Sequence, residues 1–104
     1  MSVLDEKLEA IETVCSTFRV VRLDAYGAVT GDDYDASSDP VIFAAAFEPS
    51  TPQAQYERFF GLQQALEIVM ESEIELIDYK ALLEGSFLRQ LPKEKVTLYR
   101  QEKA

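Results

Sequence analysis

The chain has 104 residues, 47% of them hydrophobic and 28% charged, the composition of one globular domain. Nineteen acidic residues against ten basic ones give a net charge of -9, with no histidine, no tryptophan and one cysteine. A zinc site built on Cys and His, a disulfide framework and a histidine general base are therefore excluded, and direct nucleic-acid binding is disfavoured, because it takes Lys and Arg in surplus against phosphate.

In chain order, the first element is a helix. Leu4, Leu8, Ile11, Cys15 and Phe18 recur at spacings of three or four. Ser2 is placed to cap it, and Asp5 and Glu6 suit the positive end of its dipole. The acidic, amphipathic stretch Met1 to Ala10 is unlike a signal peptide, and no apolar run reaches the length of a membrane span. Cys15 lies on the apolar stripe, so it reads as a small core residue, and a lone cysteine fits a reducing cytoplasm.

Arg19 to Tyr26, with its valine pair and closing tyrosine, reads as a strand that Gly27 ends. Residues 27–39 are dense in Gly, Asp and Ser, which predicts turns and loop with one short helical turn. Pro40 to Phe47 is wholly apolar and predicts a strand covered on both faces. Thr51 followed by Pro52 marks a helix cap and first turn, and that helix runs to about Ser72 with Phe59, Leu62, Leu66, Val69 and Met70 on one broad face. Phe59 and Phe60 lie about 100° apart on it. A narrow stripe cannot hold both, so either the buried face is wide or one ring contacts another protein.

Glu73 to Asp78 largely alternates charged and apolar residues, a strand half exposed to water. Tyr79 to about Gln90 is a short helical region, and Lys95 to Arg100 a last edge strand with an exposed tail behind it. Together these elements predict an α/β (α+β) two-layer sandwich in one domain over residues 1–104: about four short strands in a mixed sheet, with helices on one face.

Charge is unevenly spread. Between Arg22 and Arg58 there is no basic residue, while Asp24, Asp32, Asp33, Asp35, Asp39 and Glu48 lie there. Asp33, Asp35, Ser37 and Asp39 alternate like the start of a calcium loop, but Ser38 and Ala44 stand where that loop needs Gly and Glu, which excludes it.

Tyr26-Gly27-Ala28, ten residues, then Asp39-Pro40-Val41 resembles the signature of the minimal nucleotidyltransferases (MNT) of the DNA polymerase beta superfamily: aromatic-Gly-Ser, a similar gap, then Asp-x-Asp. Ser38 precedes the first Asp as it often does in that family. Phe47-Glu48-Pro49, the helix with Phe60-Gly-Leu, the segment Glu73 to Asp78, and Leu88-Arg-Gln followed by Val96-Thr-Leu-Tyr99 are similar to the family's later elements. The resemblance spans about residues 4–100 and implies a nucleotidyltransferase-like fold.

It also implies roles for single positions. The family's serine after glycine holds phosphate; here it is Ala28. Its two aspartates bind divalent metal; here Asp39 survives and Val41 stands at the second place. Its third carboxylate falls at Glu75, and the basic residues that usually follow Gly-Ser are replaced by Val29, Thr30 and Gly31. Positions 39 and 41 are expected on one strand face, with Glu75 joining them if the strands are neighbours. Gly27, Ala28, Asp39, Val41 and Glu75 are thus remnant positions with no intact catalytic set, and no metal or cofactor is expected, since each missing electrostatic element costs a nucleotidyl transferase on the order of 100- to 1000-fold. Read without the resemblance, Asp39 before Pro40 is an ordinary turn and Glu75 an outward, solvated side chain.

Small members of this family are often antitoxins paired with a helical HEPN-domain ribonuclease toxin. The resemblance therefore implies a HEPN partner, a hetero-oligomer with it, and neutralisation by direct binding, with no nucleic acid or membrane as partner. The alternative is a divergent active enzyme that uses Mg and ATP to adenylylate its partner, Asp33 or Asp35 joining Asp39 and Glu75 in a rearranged metal site. A structural subunit or regulator outside toxin pairing is a third reading.

Overall fold

In the computed structural model, which describes residues 2–83 and 91–101, Ser2 caps the first helix, α1 (Val3–Thr17). Its hydroxyl accepts the Asp5 N–H at 3.3 Å and the Asp5 carboxylate accepts the Ser2 N–H at 3.2 Å, so two amides that lack helical partners are satisfied reciprocally. Leu4, Ile11 and Cys15 of the stripe are buried, Leu8 is half-buried, and Phe18 packs against the core from the C-cap. Burial, and then the charge of Glu12, pushes the Cys15 thiol up to about 12. The thiolate is the reactive form, so iodoacetamide at pH about 8 should label Cys15 only as the protein unfolds. Rapid labelling of the native chain would contradict this placement.

After α1 come β1 (Val20–Tyr26), a single 3₁₀ turn (Ala28–Thr30), β2 (Ile42–Phe47), α2 (Pro52–Met70), β3 (Glu75–Asp78), α3 (Tyr79–Leu83) and β4 (Lys95–Arg100). Helix α2 starts where Thr51-Pro52 predicts: the Thr51 hydroxyl accepts the Ala54 N–H at 3.2 Å. It stops at Met70 rather than Ser72 because Glu71 turns left-handed, at φ 55°. β2 begins at Ile42, not Pro40, and β3 at Glu75, not Glu73. Of the helix expected over Tyr79 to about Gln90, α3 accounts for the part through Leu83; residues 84–90, like the last three of the tail, lie outside the described residues.

The sheet has the order β3-β2-β1-β4, with β1 antiparallel to β2 and β4, and β2 parallel to β3. Helices α1 and α2 cover one face, where Leu23, Ala25, Phe43, Ala45 and Leu76 meet Ile11, Leu62 and Leu66 in the main core. Gly61 lets Phe18 lie close on α2, since a Cβ there would sit 2.4 Å from the Phe18 ring. Tyr26, Ile42, Ala44 and Ile77 form a smaller cluster, packed by Tyr79 and Leu91. The run from Ile42 to Ala45 is accordingly buried on both sides. Not all helices share one face, because Tyr79, the first residue of α3, belongs to this second cluster. Among the described residues no helix is long and apolar enough to cross a membrane.

Candidate functional site

Strand pairing brings most of the singled-out positions to one end of the sheet. Tyr26, the last residue of β1, pairs with Ile42, the first of β2, and Ile42 pairs with Glu75, the first of β3. Gly27 follows directly. Its φ of 89° is one that side chains rarely adopt. Its N–H donates to the Glu94 carbonyl at 3.0 Å, and its carbonyl accepts the Thr30 N–H at 3.0 Å and hydroxyl at 2.8 Å. Ala28 is exposed in the turn that follows.

The carboxylate and alkyl positions are sorted differently from the sequence expectation. Val41, 2% exposed, lies in the main core under α1 and α2. Glu75 is half-buried and alternates with Leu76, which is in that same core, so it shares the other face with Ile77 and with its cross-strand partner Ile42. Val41 and Glu75 touch through the backbone, the Glu75 N–H donating to the Val41 carbonyl at 2.8 Å, while their side chains face opposite layers. Asp39 is not on the strand at all. Its carboxylate accepts the Asp35 N–H at 2.9 Å and its own N–H donates to the Asp35 carbonyl at 2.8 Å, closing a turn. The expected convergence of positions 39, 41 and 75 is therefore not formed, because β2 starts only at Ile42, and Val41, just before it, turns into the main core while Ile42 and Glu75 face the other way.

Asp35 is engaged in the same turn. The Ser37 hydroxyl donates to its carboxylate at 2.7 Å and the Ser37 N–H at 2.9 Å, and these bonds hold it below the usual carboxylate range. Among the described residues no three of His, Cys, Asp and Glu come together in a way that could hold a metal ion. The donor set around Glu75, with Ile42 beside it and Val41 turned away, does not suit the oxygen-rich shell that Mg²⁺ requires.

The most concentrated chemistry lies elsewhere on that second face, at residues that sequence reasoning did not single out as a site. Asp24, in the middle of β1, is fully buried, and it is the buried charged residue of the described chain. Arg22 Nε donates to its Oδ1 at 3.1 Å, and the Tyr79 hydroxyl donates to its Oδ2. Because the Tyr79 proton is committed to Asp24, the Tyr26 hydroxyl donates to Tyr79, at 2.8 Å. The Arg22 guanidinium also lies 5.8 Å from the centre of the Tyr79 ring. Burial alone would raise the Asp24 carboxyl, but hydrogen bonds from Tyr79, Thr97 and Arg22 outweigh it and hold the group below its ordinary range. Burial, then the bond that Tyr79 donates to Asp24, pushes the Tyr79 phenol well above its own.

This network fastens α3 to β1 across the sheet and leaves a cleft of about 390 Å³ beside it, lined by Phe47, Pro49, Gln55, Asp78, Tyr79 and Lys80. The one sequence cue to it is an aspartate set among Leu23, Ala25 and Tyr26 in an otherwise apolar strand end.

No protein-family model matches the sequence, and no curated protein matches it significantly. Two solved structures do match in fold. One is the tri-AMPylated Shewanella oneidensis HEPN toxin in complex with MNT antitoxin, at TM-score 0.56 and 12% identity over 95% of this chain and 74% of that one. The other is a mutant of the toxin–antitoxin MntA–HpeT, at TM-score 0.57 and 14% identity over 91% of this chain and 74% of that one. At such identity the likeness is one of architecture: the chain has an MNT nucleotidyltransferase-like fold, with a four-strand mixed sheet and three α-helices among the described residues.

Proposed function

We propose that this chain is the antitoxin-type partner of a HEPN-domain toxin and neutralises it by direct binding, in a hetero-oligomer, without transferring a nucleotide. The fold supports the toxin–antitoxin role, since both structures it resembles are toxin–antitoxin assemblies. The observation that carries the rest is the pairing of Glu75 with Ile42. Nucleotidyl transfer depends on metal ions, held by several oxygens, that neutralise phosphate charge and fix its geometry. Here an alkyl side chain stands next to the one carboxylate in place, and Ala28 offers no hydroxyl. Instead of basic residues, the segment between Arg22 and Arg58 presents Asp32, Asp33, Asp35 and Asp39. An acidic surface suits a partner with a basic RNA-binding groove.

Calorimetry with ATP and Mg²⁺ tests the reading. No Mg²⁺-dependent heat of binding is expected. Micromolar binding that disappears with a chelator would favour the active, adenylylating enzyme instead.

A further inference from the structure

Helix α2 is seated on the sheet by Leu62, Leu66 and Met70, and it carries a second apolar row on its outer side. Tyr56, Phe60, Gln64 and Ile68 follow each other at four-residue steps, which places them one above the other along the helix. Tyr56 is 66% exposed, Phe60 43% and Ile68 77%, and only Val96 among the described residues joins them as a large exposed hydrophobic. The row is pre-ordered: the Tyr56 and Phe60 rings lie 4.5 Å apart, and Phe59, packed on the core, meets Phe60 edge-on at 5.4 Å. Exposed apolar residues scattered singly are ordinary; here three of the four positions of one row, along about 18 Å of helix, are apolar and exposed, interrupted by Gln64.

Both ends of the row open into concave ground. At the N-terminal end Tyr56 and Phe60 border a depression of about 390 Å³ with Pro52, Gln55 and Asp78. At the other end Ile68 lies in a shallow basin of about 590 Å³ with Glu67, Glu71, Ser72 and Glu73. Lys7 reaches Glu71 from α1 at 3.3 Å, one cation against three carboxylates. From residue 53 to 73 the only basic side chain is Arg58, against Glu57, Glu67, Glu71 and Glu73.

We propose that this face of α2 receives the toxin: an amphipathic helix of the partner lies along Tyr56, Phe60 and Ile68, with a Lys or Arg on its flank over the acidic basin. This rests on the reading above that the chain binds a helical toxin, and it says where. A row at four-residue spacing is a ridge of the kind that seats between the ridges of another helix. The charge beside it selects a basic flank. A second copy fits less well, since it would bring another surface of net charge -9 against this one.

The test is the Kd of the full chain for a purified HEPN-domain toxin from the same host, by calorimetry. Light scattering and melting of the free chain accompany it. The triple variant Tyr56→Ser, Phe60→Ser, Ile68→Ser should bind on the order of 100-fold more weakly or worse, since buried aromatic anchors dominate interfaces, with its melting temperature kept. Glu73→Lys should weaken binding about tenfold and reduce its salt dependence. Ile68→Glu, at the most exposed position of the row, supplies the same reading if the triple variant folds poorly.

Wild-type affinity in the triple variant and in Ile68→Glu would overturn the docking site while leaving the antitoxin reading intact. A free chain that is a dimer, made monomeric by the triple variant, would overturn it in favour of a second copy. A wild-type chain that does not bind the HEPN protein at all would overturn the antitoxin reading, and the docking site with it.

Discussion

Val41→Asp should come close to unfolding the domain, and excess Mg²⁺ or Mn²⁺ should not rescue it. Val41 is 2% exposed in the core between β2 and the helices, so the substitution places a carboxylate where neither water nor a cation faces it. Burying an unpaired charged group costs on the order of 4 kcal/mol even after its pKa adjusts, against a total stability of about 5–15 kcal/mol for a domain of ordinary size. Glu75, the carboxylate that a metal would also need, lies on the opposite face of the sheet with Ile42. Positions 41 and 75 therefore cannot share a divalent ion, and mass-action stabilisation through that pair is absent. Urea unfolding of wild type and variant, with and without metal, reads this directly. A metal-dependent recovery of the Val41→Asp urea midpoint would show that positions 41 and 75 meet after all.

The second large effect belongs to Asp24. Asp24→Ala should cost about 3 kcal/mol, because it strips the acceptor from Tyr79, Thr97 and Arg22 at a fully buried position. Asp24→Asn should cost less, since it keeps an acceptor oxygen. The pH dependence has two limbs of opposite sign. The folded Asp24 carboxyl is held below its ordinary value, so its contribution is complete above the unfolded value of about 3.9 and is lost as pH falls through the lower folded one.

The folded Tyr79 phenol is held above its ordinary value, so its contribution is complete below about pH 10 and is lost as pH rises beyond. Denaturant unfolding across pH should show a plateau between these limits. Asp24→Asn should flatten the acid limb and Tyr79→Phe the alkaline one. Unchanged limbs in both variants would mean that the pair does not form.

How much of this could be read from the sequence depends on how local each signal is. The stripe from Leu4 to Cys15 and the pair Thr51-Pro52 state their helices within a few residues, and both helices lie where those signals put them. The facing of β2 could not be read. Every residue from Val41 to Phe47 is apolar, so no polar side chain marks which phase of the alternation looks outward. The start of the strand was hidden as well, because Asp39 is drawn into a turn by Asp35, four residues back.

Asp24 and Tyr79 are 55 residues apart and meet only because α3 follows β3 onto the second face. No periodicity carries that information. Of the two rings, Phe59 packs on the core and Phe60 stands out beside Tyr56, so the buried face of α2 does not hold both.

In the proposed function the chain silences a HEPN-domain partner by occupying it and not by modifying it. The measurement that bears on it most directly is a ribonuclease titration: purified HEPN-domain toxin, increasing amounts of this chain, with and without ATP and Mg²⁺, followed by the intact mass of the toxin. Inhibition is expected to complete at a fixed stoichiometric ratio, to be the same with and without nucleotide, and to leave the toxin's mass unchanged. Inhibition that needs ATP, or that leaves an adenylyl group on the toxin, would contradict the proposed function.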